Sequence, residues 1–391
     1  MNGRKKVAIL LPWLKMGGTN MVALRFAREL SAHCDVTLIL SEHTGELLEQ
    51  VPPQISLIVD KMRPFRALLR EDLTHLRLRR LMQDILYYGK IKCHRDSVDN
   101  YRYLVERNDF VCDTEFDCAV SFHGQSPERL LHLLYRVHAK KKVVWIHGEF
   151  RNSHDHCRRM NAYYRQADHI FFVSYATSES FLRRFDYDRA RCTVYRNPLD
   201  REDLLRKAQE VCAPSFSQDY VNLLTVGRIS EEKGQDMIPA VTRRLLNAGH
   251  KVRWYVIGDG DTRPALEQAI RAEGLENHVL LLGTHTNPYT FMRACDIYIQ
   301  PSYTEGYSTT ICEAGILGKA IVGTKPSGGI AEQITHGTDG LIVEATVDGL
   351  TQAIDRLLRD PSLRQAFAQN IQTKNFEGTG ELPKFLSLLT D

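Results

Sequence analysis

Two glutamates, Glu305 and Glu313, stand with seven residues between them in DIYIQPSYTEGYSTTICEAGILGK, Asp296 to Lys319. Two cations, Arg228 and Lys233, lie five positions apart between Gly227 and Gly234 in GRISEEKG. Arginine offers a two-pronged fork to phosphate oxygens and lysine a compact point charge, so the glycine-flanked pair suits a diphosphate. The two carboxylates can address different parts of one ligand. Taken singly, Glu313 also reads as half of a capping box and Glu305 as a solvated loop acid.

The elements that must hold these residues follow from apolar periodicity. Ile297 to Ile299 suits a buried strand; Pro301 and Gly306 then break the run, so Gln300 to Tyr307 reads as a loop. Thr310, Cys312 and Glu313 begin a small-residue helix, with Thr310-x-x-Glu313 as its capping box and Glu313 in its first turn. A strand, a glycine-bearing turn and a helix N-terminus make an anion site, because first-turn amides and the helix dipole point at it. The same pattern opens the chain: strand Lys6 to Leu11, then Gly17 and Gly18, helix Met21 to Leu30, and strand Asp35 to Leu40. Strands are predicted at Phe116 to Phe122, Lys142 to Ile146, His169 to Ser174 and Cys192 to Asn197, with HGQS after the first and HGEF, carrying His147, after the second. The second half restarts at Asn222 to Val226, Arg253 to Ile257, Val279 to Leu282, Asp296 to Ile299 and Ala320 to Val322. Strands alternating with helical patterns predict parallel, doubly wound sheets.

At 391 residues, 43% hydrophobic and 25% charged, the chain fits two globular domains with substantial cores. No apolar run is long enough for a transmembrane helix, and the basic start is too soon broken for a signal peptide. Nine scattered cysteines without a CxxC pair argue against a disulfide framework and a structural zinc site, and predict a cytoplasmic location. The net charge of +3 is uneven: residues 1–198 carry +9 and the remainder −6. Much of the excess lies in Lys61 to Arg95, where apolar residues recur at helical spacing. Such a basic amphipathic stretch either lies on an anionic membrane or docks on its own domain with a solvated basic face.

The segments EGYSTTICEAGILGKAIVGT, GGIAEQI and DGLIVE, with the Gly-Arg…Lys-Gly pair, resemble retaining glycosyltransferases of glycosyltransferase family 4, whose mark is a Glu, seven residues, then a Glu. The resemblance is strong over 225–234 and 296–344 and absent over 60–115. It implies the α/β GT-B architecture, two Rossmann-like doubly wound domains facing across a cleft. It implies Glu305 beside the donor sugar with His147, Arg228 and Lys233 on the phosphates, and Glu313 at the nucleotide ribose. Amides near Tyr307, Ser308 and Thr309 with Gly227 and Gly306 would complete the donor site, and the loop of Gly17 and Gly18 would border donor phosphates and acceptor. A histidine at a strand end is otherwise commonly structural, and that reading of His147 stays open. Ser308-Thr309-Thr310 depart from the small apolar run frequent in the family, which leaves the donor sugar unspecified.

What the resemblance implies is transfer of a hexose or N-acetylhexosamine, with retention, from a nucleotide-diphosphate sugar, expected to be a UDP-sugar. The acceptor would be a saccharide or a polyprenyl-linked saccharide in bacterial capsule, lipopolysaccharide or exopolysaccharide synthesis. Neither metal nor cofactor is expected, nor nucleic acid; an anionic membrane surface is an expected partner on the inner face of the cell membrane. The expected organisation is an acceptor domain over 1–198 with a basic helical insertion at about 60–110, a donor domain over 199–375, and a C-terminal helix over 376–391 crossing back. A nucleotide-sugar epimerase and a non-catalytic accessory subunit are the alternatives. Two motifs are set aside. Gly258-Asp-Gly260 has Arg263 where a dinucleotide fingerprint needs its third glycine, and Asp186-Tyr-Asp188 reads as part of a charged surface helix.

Overall fold

A computed structural model describes residues 3–61, 63, 65–74, 77, 78, 82, 86, 87, 98–108, 112, 114–150, 154–211, 216–325, 328–378 and 380–390. Much of the basic stretch lies outside the described residues, as do Cys93, Cys212, Pro214 and Ser215 and the side chains of His154, Asp155 and His156. The chain divides into two compact units, residues 1–195 with 380–391, and residues 196–379.

The first unit is a parallel sheet of seven strands. They are β1 (Lys6–Leu11), β2 (Asp35–Leu40), β3 (Ser56–Val59), β4 (Phe116–Ser121), β5 (Ala139–Ile146), β6 (His169–Phe172) and β7 (Cys192–Val194), in the order β3-β2-β1-β4-β5-β6-β7. The central strands read as unbroken apolar runs because helices cover both faces; Val7 to Leu11 are all buried. Phe26, from the helix Gly18–Ser31, packs edge-on against Trp145 and Tyr195. Phe385, from the helix Leu382–Leu386, meets Phe26 at 5.0 Å between ring centroids and is fully buried. The last residues of the chain are therefore part of the first unit's core.

The second unit is a parallel sheet of six strands: β8 (Val221–Val226), β9 (Val252–Ile257), β10 (Val279–Gly283), β11 (Ile297–Gln300), β12 (Ala320–Lys325) and β13 (Leu341–Glu344). Their order is β10-β9-β8-β11-β12-β13. Its core gathers Leu223, Trp254, Val256, Ile297, Ile299 and Val322 from the strands with Ile238, Val241, Ile354 and Leu357 from the helices Ile238–Asn247 and Val347–Arg359.

Several local expectations need correcting. Edge strands β3 and β13 are short and partly exposed, so neither presents a periodic apolar signal. β5 begins at Ala139 rather than Lys142, since backbone pairing with β4 places Lys141 opposite Cys118 despite its charge. The connecting stretch after Pro198 contains a helix, Arg201–Ala208, capped by the Asp200 carboxylate on the Asp203 amide. Asp186 and Asp188 are not helical. The preceding helix stops at Leu182; Asp188 instead accepts from the Ala190 amide and caps a 3-10 turn, while Asp186 pairs with Arg165 at 3.1 Å.

Candidate functional site

The strand order of the second sheet reverses between β8 and β11, and in open α/β sheets the crevice beyond the C-terminal ends of such a strand pair is where ligands bind. The loop Gly227 to Gly234 follows β8 and the loop 301–308 follows β11, so the candidate residues of both motifs leave the sheet side by side. Backbone hydrogen bonds join the loops: the amides of Tyr303 and Thr304 donate to the Glu232 carbonyl at 2.9 and 3.3 Å. Gly234 permits this approach. Its φ is +67°, and a Cβ there would lie 2.1 Å from the Pro301 carbonyl oxygen. The outcome is that Lys233 Nζ donates to Glu305 Oε2 at 2.7 Å across 72 positions of sequence.

The Glu305 carboxylate also accepts from Ser302 Oγ at 3.1 Å and from Gln300 Nε2 at 3.3 Å. Arg228, largely exposed, extends its guanidinium to Glu232 Oε1 at 2.5 Å. Burial raises the Glu232 carboxyl, but hydrogen bonds from its own amide and from Ser230, with the Arg228 charge, outweigh burial and hold it below the ordinary carboxylate value. The Gly258-Asp-Gly260 turn supports this loop. Gly258 has φ +141°, and a Cβ on it would lie 1.9 Å from the Gly227 carbonyl oxygen, so the motif is a packing device beside the phosphate-type loop.

The helix after the second loop runs Thr309–Ile316 and is capped by Ser308, whose hydroxyl accepts from the Ile311 amide at 3.3 Å. The expected capping box at Thr310 and Glu313 is not formed, because both side chains have other partners. Thr310 Oγ1 donates to Gln300 Oε1 at 3.1 Å, and Glu313 Oε1 accepts from the Tyr289 hydroxyl at 3.2 Å. Glu313 sits in the second turn, 6% exposed. Ser308 itself is gripped by Gln333, which ends the helix Gly328–Gln333. The Ser308 amide donates to Gln333 Oε1 at 3.0 Å, and Gln333 Nε2 donates to the Ser308 carbonyl at 2.6 Å. Tyr307 is buried beside Cys312, and burial pushes its hydroxyl well above the ordinary tyrosine value.

The second unit thus collects Gly227, Arg228, Lys233, Glu305, Gly306, Tyr307, Ser308, Thr309 and Glu313. Gln300, Ser302, Gln333 and Tyr289, which no motif singled out, are the side chains that hold them.

Gly17, Gly18 and His147 belong to the first unit. Gly17 is the N-cap of the helix Gly18–Ser31, which has no side-chain cap and no acidic residue in its first turn. The first sheet reverses between β1 and β4, so this glycine turn and His123, just after β4, both stand at its switch point. His147 follows β5 with its ring stacked on Trp145, 7° between planes, and on Phe122. Its Nε2 is buried without a hydrogen-bond partner among the described residues. Burial, with a smaller contribution from His123, pushes the imidazole down to about 3, so it is neutral at physiological pH.

Residues 212–374 match the family model for glycosyl transferases group 1. The second unit is a group 1 glycosyltransferase domain. A Campylobacter jejuni N-acetylgalactosaminyltransferase acting on an N-acetylgalactosamine-N,N'-diacetylbacillosaminyl-diphospho-undecaprenol is 28% identical over 54% of this chain and 56% of its own length. The capsular polysaccharide biosynthesis glycosyltransferase CapM of Staphylococcus aureus is 25% identical over 44% of each chain. The chain spans about half the length of these curated relatives. Among solved structures, Anabaena HepE in complex with UDP and glucose superposes with a TM-score of 0.74 over 99% of both chains at 19% identity. The two parallel, doubly wound sheets are those of the GT-B fold.

Proposed function

We propose that this chain is a retaining glycosyltransferase that moves a hexose or N-acetylhexosamine from a UDP-sugar to a saccharide or lipid-linked saccharide acceptor, without a metal ion, in bacterial surface-polysaccharide assembly. The observation that carries the reading is the Lys233–Glu305 pair at the switch point of a group 1 domain, where one cation and one hydrogen-bond-accepting carboxylate are fixed together. UDP in the HepE complex and the undecaprenol-linked substrate of the C. jejuni relative support the choice of donor and acceptor class.

In this reading Arg228 and Lys233 take the donor diphosphate and stabilise the charge that grows on the leaving nucleotide as the sugar–phosphate bond breaks. Glu305 and neutral His147 orient the sugar, Glu313 takes the ribose, and the leaving phosphate accepts the proton of the acceptor hydroxyl on the same face. Leu73, Leu78, Met82 and Leu86 are each more than half exposed near the basic residues Arg70 and Arg77, which supports contact with an anionic membrane at the inner face of the cell membrane. Among the described residues no helix is long and apolar enough to cross a membrane.

The deciding experiment incubates the purified chain with UDP-, GDP- and ADP-sugars and assays released nucleotide with and without EDTA. Release from a UDP-sugar that survives EDTA is the expected result. Release abolished by EDTA overturns the metal-free mechanism, and silence across the panel overturns the donor assignment. Sedimentation with liposomes tests the membrane contact: equal binding to neutral and anionic vesicles rejects it in its electrostatic form.

A further inference from the structure

We propose that Gln300 is a positioning residue for Glu305, its buried side-chain amide fixing the carboxylate against Lys233 and tying it to the start of the helix Thr309–Ile316. The inference rests on the reading of Glu305 as a donor-sugar contact and deepens it. Gln300 closes β11 and is 3% exposed. Its Oε1 accepts from the Tyr298 hydroxyl at 2.9 Å and from Thr310 Oγ1 at 3.1 Å. Its Nε2 donates to Ser302 Oγ at 2.8 Å and to Glu305 Oε2 at 3.3 Å, and Ser302 Oγ in turn donates to the same carboxylate oxygen. One amide therefore uses both donor and acceptor sides.

The chemistry allows only one orientation. A carboxylate accepts hydrogen bonds and must meet the N–H side; the two hydroxyls then donate to the oxygen. No apolar residue supplies either half, and a glutamate supplies the oxygen without the N–H. The base of this arrangement is rigid. β11 is paired on both sides, to β8 and β12, with Gln300 opposite Gly323, and the Gln300 carbonyl accepts from Thr324 Oγ1 at 3.2 Å. The charged and titratable groups around the amide are Lys233 and Glu305 from the two loops, Tyr298 from its own strand and Glu313 from the helix, which acts on the Tyr298 hydroxyl. Gln300 thus converts a strand end, which the sheet holds still, into a fixed position for a loop carboxylate.

The test compares Gln300→Glu and Gln300→Leu with the parent chain, measuring turnover of UDP-glucose, UDP-N-acetylglucosamine and UDP-N-acetylgalactosamine from pH 5 to 9 and binding of UDP alone. Gln300→Glu keeps the shape and the accepting oxygen but turns a second carboxyl toward Glu305. Two carboxyls this close share a proton, so at low pH the introduced carboxyl is protonated and donates as Nε2 did, and at high pH the pair repels. Expected is a fall in kcat of about 10- to 100-fold at pH 8, the cost of a misplaced reacting-centre group, with recovery on acidification. Gln300→Leu should lose kcat at every pH, and both variants should retain the thermal shift given by UDP.

A Gln300→Glu profile parallel to the parent's overturns the assignment. So does loss of UDP binding together with turnover in both variants, since that marks a merely structural residue. Absence of turnover in the parent chain strikes the functional reading itself, whereas parental turnover with an unaltered variant strikes Gln300 alone.

Discussion

Glu305 and Lys233 hold one another at 2.7 Å with side chains 11% and 23% exposed, so neither can be removed without changing the other's electrostatics. The proposed roles predict that Glu305→Ala and Lys233→Ala each lower turnover by at least about 10²-fold, the scale of one lost charge-stabilising group. Both variants should remain folded, because Lys233 keeps access to water and Glu305 keeps Ser302 and Gln300 as donors. Steady-state kinetics beside a melting curve checks this; near-parental kcat in both would falsify the site assignment. The charged members of the candidate site stand out in the sequence as a cation pair between glycines and as two glutamates whose roles come from the family resemblance rather than from their spacing. Gln300 and Gln333 do not stand out. A neutral amide inside an apolar run has no spacing signature, and its value depends on which strand end or backbone group stands opposite, which only the folded arrangement decides.

The second loop and its helix form a unit held by few contacts of high consequence. Gln333 is fully buried and its one amide meets both the N–H and the C=O of Ser308. Gln333→Leu, similar in size, would leave two backbone groups buried and unpaired, at about 1–3 kcal/mol each. The predicted result is a loss of several kcal/mol in urea unfolding together with weaker binding of UDP, since the cap that presents the amides of Thr309 and Thr310 is released. Gln333→Glu provides the control. As a protonated acid it restores both bonds, and as a buried carboxylate it faces the Ser308 carbonyl oxygen, so its loss should shrink on acidification; a loss equal to that of Gln333→Leu at every pH would point to packing instead. Elements of this kind show where reading by pattern succeeds. Central strands such as β1 and β8 declare themselves as apolar runs, whereas the N-cap at Ser308 had two hydroxyl competitors in Thr309 and Thr310. Sequence alone favoured Thr310 because Glu313 completes a capping box; Gln300 and Tyr289 take those side chains away.

At the scale of the whole molecule, the first unit carries titratable groups whose surroundings make its stability depend on pH. It holds His123 and His147 half-buried beyond the ends of adjacent strands, and desolvation of the rings pushes them down to about 4 and about 3, with Arg129 adding to His123 and His123 to His147. The sign follows from linkage. In the unfolded chain both imidazoles take up protons below about pH 6.5, while in the folded chain they stay neutral until about pH 3–4. Between these limits the unfolded state binds more protons, so stability falls as pH falls and recovers as pH rises through 6.5. Scanning calorimetry from pH 7.5 to 5 should show a falling Tm, by about 2–4 °C for each kcal/mol lost. His147→Gln, neutral at every pH, should flatten part of that slope. Hydrogen exchange identifies the unit concerned: acid-induced loss of protection should appear in β4, β5 and the helix Pro127–Arg136 before it appears in β8 and β11. A Tm independent of pH across this window, or a slope unchanged in His147→Gln, would mean that these histidines titrate freely in the folded state. A charged His147 would then have to replace the neutral imidazole in the proposed mechanism, and the pH optimum of turnover would move to the acid side of neutrality.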